Sequence, residues 1–191
     1  EELARLAADH EPDQVGVRDL LPRQLAGVAA VAEHDHPVGN PFDLGQAMGR
    51  AFAWLRWADE RFSTYDDASD ISRLNAGEIG LPDTHPIVRN VLAYCEVLRA
   101  GTDGYFDARA PLPGGIDPSG LVKGWAVDVA FAGLRRAGAR ELCIEAGANV
   151  RVAGGPWRIG IRNPHRRELL AAVVLLHSGA VATSGAYERG P

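Results

Sequence analysis

Asp117, Gly120 and Lys123 stand three residues apart in the stretch D-P-S-G-L-V-K-G-W-A-V-D, and together they could hold a polyanion. If a helix begins near Ser119 or Gly120, its free N–H groups and the positive end of its dipole favour phosphate oxygens. Gly120 carries no Cβ, so a ligand or an ion can come close to the backbone. Lys123 adds a point charge, and Asp117 can orient a hydroxyl or hold a divalent cation. The same residues also describe a Ser-capped helix with an exposed lysine, and D-x-x-G-x-x-K alone favours that simpler reading. The stretch is no P-loop, because the G-x-x-x-x-G-K-[ST] spacing is absent. The chain has no G-x-S-x-G elbow, and neither Cys95 nor Cys143 has a neighbouring histidine base, so acyl transfer has little support.

The composition sets the frame for that ligand. The chain has 191 residues, 46% of them apolar, enough for one domain with a real core. A formal charge of −5 supplies no field to recruit nucleic acid or anionic lipid. An anionic ligand therefore needs local positive charge or a metal ion. The two cysteines read as buried and reduced, and two cannot make a zinc site unaided. No signal segment or membrane-length apolar run is read in the chain, and a signal already removed would leave the compartment open.

The elements that must position these groups follow from periodicity. In residues 1–38, Leu3, Leu6 and Ala7 suggest one amphipathic helix, and Leu20, Leu21, Leu25, Val28 and Val31 a second. This N-terminal helical segment is expected to precede a domain over residues 39–191. His34-Asp35-His36 reads as a solvated loop, since no third metal ligand accompanies it. Ala47, Ala51, Trp54, Leu55 and Ala58 predict a helix from about Phe42 to Phe62, with Trp54 and Trp57 in or near the core. The loop F-S-T-Y-D-D-A-S-D-I-S-R-L-N-A-G-E, Phe62 to Glu78, has Ser69 or Asp70 to cap a short helical turn. Another helix starts at His85-Pro86, carries Val88, Val91, Leu92, Cys95 and Leu98 on one face, and stops at Gly101. Tyr105-Phe106-Asp107 reads as a short extended segment, and residues 109–116 as a Pro/Gly loop. A helix over Lys123–Arg136 ends in two arginines that suit its dipole, with Gly138 beyond. Strands follow at Glu141–Glu145, Val150–Val152, Trp157–Ile161 and Ala171–Leu176, and the last stretch is a strand passing into a loop. Helices first and consecutive short strands after predict an α+β fold with mainly antiparallel pairing.

The succession F-S-T-Y…S-D-I-S-R-L-N, G-Y-F-D, D-P-S-G-L-V-K-G-W-A-V-D, W-R-I-G-I-R-N-P and V-A-T-S-G-A-Y-E-R resembles the ApbE family, the FAD:protein FMN transferases. The resemblance covers roughly residues 42–191, and five motifs in order carry more weight than any one. It implies a T-fold-related flavin transferase domain that binds FAD and Mg²⁺. It implies transfer of FMN from FAD to a threonine hydroxyl of an acceptor protein, with release of AMP. Position by position, Tyr65 matches the family tyrosine beside the flavin, and Phe106, Asp107 and Ala108 match an FAD-contacting segment. Asp117 and Lys123 match flavin-nucleotide contacts, and Gly120 matches the position whose backbone carbonyl binds the metal. The family is often exported and lipid-anchored, and a cytoplasmic place also stays open. Alternatives are an FAD-binding relative without transfer activity and an FAD pyrophosphatase.

The chain departs from the family pattern at three places. The family's N-terminal methionine has no match, because Met48 lies in a helical pattern. A glycine-rich G-G-D turn appears as Gly147-Ala148-Asn149, which loses a carboxylate and is expected to crowd a Cβ into a tight place. The resemblance places the remaining metal ligands beyond Pro191.

Overall fold

The computed structural model describes residues 29–31, 41–166 and 168–183, with side chains from residue 44 onward. The expected helices at Leu3–Ala7 and from Leu20, and the His34-Asp35-His36 loop, lie outside these residues, apart from 29–31.

Helix α1, Pro41–Phe62, opens on a proline whose missing N–H would be unsatisfied there anyway. Its face at Leu44, Ala47, Trp54, Leu55, Trp57, Ala58 and Phe62 is buried. That stripe packs on helix α4, Ser119–Arg136, through a cluster of aromatic rings. Trp54 stacks on Trp57 at 5.0 Å and meets Trp125 edge-on at 5.2 Å. Phe62 meets the same Trp125 edge-on at 5.7 Å. The Trp54 indole N–H donates to the Ala126 carbonyl at 3.1 Å, so the ring is buried without leaving its donor unmet.

Helix α2, Asp70–Asn75, is a single capped piece between α1 and a short 3₁₀ turn at Leu81–Asp83. Helix α3, Pro86–Gly101, starts where His85 Nδ1 accepts from the Ile87 N–H at 3.2 Å. Helix α4 ends on Gly138, whose φ of 99° lets the Ala139 N–H reach back to the Leu134 carbonyl. Arg135 in its last turn donates to the carbonyls of Ala139 and Arg140 at 2.6 and 2.7 Å.

The opposite face of α4 lies on an antiparallel sheet. Strands β1 (Ala29–Val31), β2 (Leu142–Ala146), β3 (Asn149–Ala153) and β6 (Gly179–Ala182) run in the order β1-β2-β3-β6. Strand β2 alternates, turning Leu142, Ile144 and Ala146 inward. Strands β4 (Trp157–Arg162) and β5 (Leu170–Leu176) form a separate antiparallel pair with a register shift at Ile161/Arg162. The α+β, mainly antiparallel expectation is what the structure holds.

Three local readings are corrected. Ala29–Val31 form an edge strand, with Ala30 opposite Ile144, where a helix was expected to reach Val31. Alanine favours a helix by itself, so the pairing with β2 and not local propensity makes this strand. Tyr105 and Phe106 are bends and Asp107 lies in no strand, because Asp103 (φ 51°) and Gly104 (φ 82°) turn the chain back after α3. Ala148 is exposed in the β2–β3 turn with no left-handed backbone, so its Cβ meets no tight place.

Candidate functional site

The site gathers at the N-terminal end of α4. The Phe106 N–H donates to Thr102 Oγ1 at 3.0 Å, which ties it to the end of α3. Its ring is half-buried against the core. Asp107 Oδ1 accepts from the Arg109 N–H at 2.8 Å, so this carboxylate is engaged in a local turn. Ala108 is buried, and its carbonyl accepts from the Asp117 N–H at 2.7 Å. That bond closes the Pro/Gly loop of residues 109–116 at its base and sets Asp117 beside the Phe106–Ala108 segment.

Pro118 is the N-cap residue of α4 and gives no side-chain cap, so the turn ahead of it is held by Asp117. Its Oδ1 accepts from the Ser119 N–H at 2.9 Å, while Pro118 behind it is fully buried. The N–H groups of Leu121 and Val122 both reach the Pro118 carbonyl at 3.0 Å. Among the described residues this leaves the Gly120 N–H as the open donor of the first turn, where the sequence suggested several. Gly120 is exposed, and a Cβ built on it would lie 3.3 Å from Phe106 Cε2. Phe106, Ala108, Asp117 and Gly120 are thus brought together by short contacts. Lys123, half-buried, stands one helical turn beyond Gly120 on the same face of α4.

Tyr65 is not drawn into this set by any direct bond. It is 72% exposed on the turn after α1, where its N–H donates to Ser63 Oγ at 3.2 Å. The link to the site is indirect. The Ser63 carbonyl accepts from Ser69 Oγ at 2.5 Å and from Ser72 Oγ at 3.1 Å, which anchors α2 to that turn. At the far end of α2, Asn75 bonds both backbone groups of Ile116, accepting at 2.8 Å and donating at 2.9 Å. Sequence reasoning quoted Asn75 within S-D-I-S-R-L-N and gave it no role. Its signal is the residue type, since only an amide side chain both accepts from an N–H and donates to a carbonyl in this way.

Beside the Tyr65 turn the charge is negative. Burial pushes the Asp59 carboxyl above the usual carboxylate range, and Asp66 and Glu60 push it further the same way. Among the described residues no group of three or more His, Cys, Asp or Glu is placed to hold a metal ion. Gly120 adds a geometric limit. Inside a helix its N–H points out of the N-terminal end and its carbonyl points the other way. A ligand off the helix end therefore meets the N–H, and an ion reaches the carbonyl only from the side. Met48 packs against the core from α1, in keeping with the helical place read for it.

Residues 109–190 match the model of the ApbE family. The FAD:protein FMN transferase of Rhodobacter capsulatus is 41% identical over 78 residues, a stretch covering 39% of this chain and 15% of that protein. The ApbE protein of Thermotoga maritima has the same fold at a TM-score of 0.66 and 20% identity, over 85% of this chain and 72% of its own. The Vibrio cholerae flavin transferase ApbE aligns at 0.61 and 20% identity, over 86% and 74% of the two chains. The resemblance to the ApbE family is therefore found in sequence and in fold alike.

Proposed function

From residues 109–190 that carry the ApbE signature, on a fold shared with ApbE flavin transferases, we propose that this protein moves FMN from FAD to a threonine hydroxyl of an acceptor protein. The acceptor oxygen would bond to the FMN-side phosphorus of the pyrophosphate and give up its hydroxyl proton to solvent, the bond to the AMP oxygen would break, and AMP would leave. Such a reaction asks a protein for positioning and for neutralisation of charge. The observation that carries the reading is the open Gly120 N–H, on a glycine whose Cβ position lies 3.3 Å from Phe106 Cε2, flanked by Asp117 and by Lys123. The N–H and the helix dipole suit a phosphate oxygen, and the ammonium suits its neighbour.

In this reading Phe106, Asp107 and Ala108 line the nucleotide site, and Tyr65 stands beside the flavin ring. Mg²⁺ belongs to the proposal as a neutralising ion that meets Asp117 and the Gly120 carbonyl. The described residues alone do not enclose such an ion.

The test is to mix the chain with FAD, Mg²⁺ and a threonine-bearing acceptor protein. Covalent flavin on the acceptor together with free AMP is the expected result. AMP and free FMN without labelling would make the protein a pyrophosphatase, and binding without AMP would make it a flavin holder. No flavin binding would overturn the whole reading.

A further inference from the structure

We infer that Asn75 is the positioning residue that sets Asp117 for the flavin nucleotide, an inference that rests on the function proposed above. Asp117 lies at the end of an exposed Pro/Gly loop, residues 109–116, whose ordinary fate is mobility. Within that loop the backbone bonds itself at Leu112–Gly115, at 2.9 Å. Two contacts from outside hold its exit. One is the 2.7 Å bond between the Asp117 N–H and the Ala108 carbonyl. The other is the paired bond between the Asn75 amide and both backbone groups of Ile116, across 41 residues of sequence. Because Asn75 grips the residue before Asp117 at both its N–H and its carbonyl, rotation of the peptides on either side is restrained.

The far side of this clamp is rigid. Asn75 ends α2, whose Ile71 is completely buried and whose cap Ser69 is also completely buried. Asp70 in its first turn accepts from the His85 N–H at 2.7 Å and from Arg61 at 3.1 Å. Gly115 lies against the clamp as well, since a Cβ there would stand 3.4 Å from Asn75 Cγ. The same α2 is bonded through Ser72 to Ser63, which holds the Tyr65 turn. One short helix therefore places both a candidate flavin contact and a candidate nucleotide contact. Asn75 is bonded to the Ile116 backbone and in this assignment acts through Asp117.

The test uses Asn75→Ala and Asn75→Asp in the full chain. Asn75→Asp keeps an acceptor for the Ile116 N–H and turns a carboxylate toward the Ile116 carbonyl. Both are expected to melt cooperatively, to expose the Ile116 and Asp117 amides to faster hydrogen exchange, and to bind FAD about tenfold more weakly. The deciding measurement repeats Asn75→Ala in an Asp117→Ala background. If Asn75 acts through Asp117, the second substitution adds less than about twofold there. An equal loss in both backgrounds, or unchanged exchange at Ile116, overturns the assignment. If the parent chain itself binds no FAD, the proposed function has failed, and the exchange data still decide whether the clamp exists.

Discussion

Gly120→Ala separates stability from binding at one atom. Gly120 is the second residue of a helix and has no positive φ, so alanine is conformationally acceptable there. Alanine in place of glycine within a helix stabilises by about 0.5–1 kcal/mol, much of it through the unfolded chain. Against this stands one contact, since the new Cβ would lie 3.3 Å from Phe106 Cε2 and 3.9 Å from Cδ2. The ring is only half-buried and can give by a few tenths of an ångström, which offsets part of the gain. The net effect on stability is expected between zero and about +1 kcal/mol, a rise of no more than about 4 °C in melting temperature for a chain of this size. Binding should move the other way. In the proposed function a phosphate oxygen would reach the Gly120 N–H beside Phe106, and the methyl group would crowd that approach. A hydrogen bond to a charged group is worth about 1.5–3 kcal/mol, so FAD affinity should fall by about 10- to 100-fold. Flavin fluorescence titration and thermal unfolding on the same sample measure both. A higher melting temperature with FAD affinity unchanged within about twofold would refute the close approach at Gly120.

Asp117→Asn keeps an oxygen for the Ser119 N–H, so melting should change by less than about 0.5 kcal/mol while the Mg²⁺ dependence of FAD binding weakens; an unaltered Mg²⁺ titration would remove Asp117 from the ion. Lys123→Ala should weaken FAD binding most at low salt, with the gap closing as salt rises; a gap indifferent to salt would rule out an ammonium–phosphate contact. The Asp59 carboxyl is raised in the folded chain, so the native state holds its proton more tightly than the unfolded state does. Its contribution is then favourable at low pH and is lost as pH rises through the carboxylate range. Asp59→Asn should therefore melt higher than the parent at pH 7 and alike near pH 3, and the reverse order in a pH series of melts would contradict it. Burial pushes the Cys95 thiol up to about 11, so alkylation at pH 8 should be slow until denaturant is added; rapid native labelling of Cys95 would count against its burial.

The periodic elements were legible because burial imposes its own spacing. Ala47, Trp54, Leu55 and Ala58 announce α1 by recurring on one face, and β2 announces itself by alternation. Ser69 was readable as a cap because the physics of an N-terminus is local. The bend at Tyr105 and Phe106 hangs on left-handed backbone at Asp103 and Gly104, and that Asp-Gly pair is a turn signal which the extended reading passed over. Ala29–Val31 was not legible, since a three-residue strand is made by the partner it pairs with.

The same division runs through the site. Local sequence alone determined its chemical content: a carboxylate, a glycine and an ammonium at the start of a helix, with a phenylalanine in a motif just before. Bonds between near neighbours then take up part of that content. The Asp117 carboxylate takes up the Ser119 N–H, and the Pro118 carbonyl takes up two more, leaving Gly120. Tertiary structure decided what holds Asp117 still, a contact from Asn75 that spans 41 residues. Capping and periodicity are interactions between near neighbours, so they are written in the order of residues. A hydrogen bond between distant segments exists only once the core has brought them together, and no local pattern encodes it.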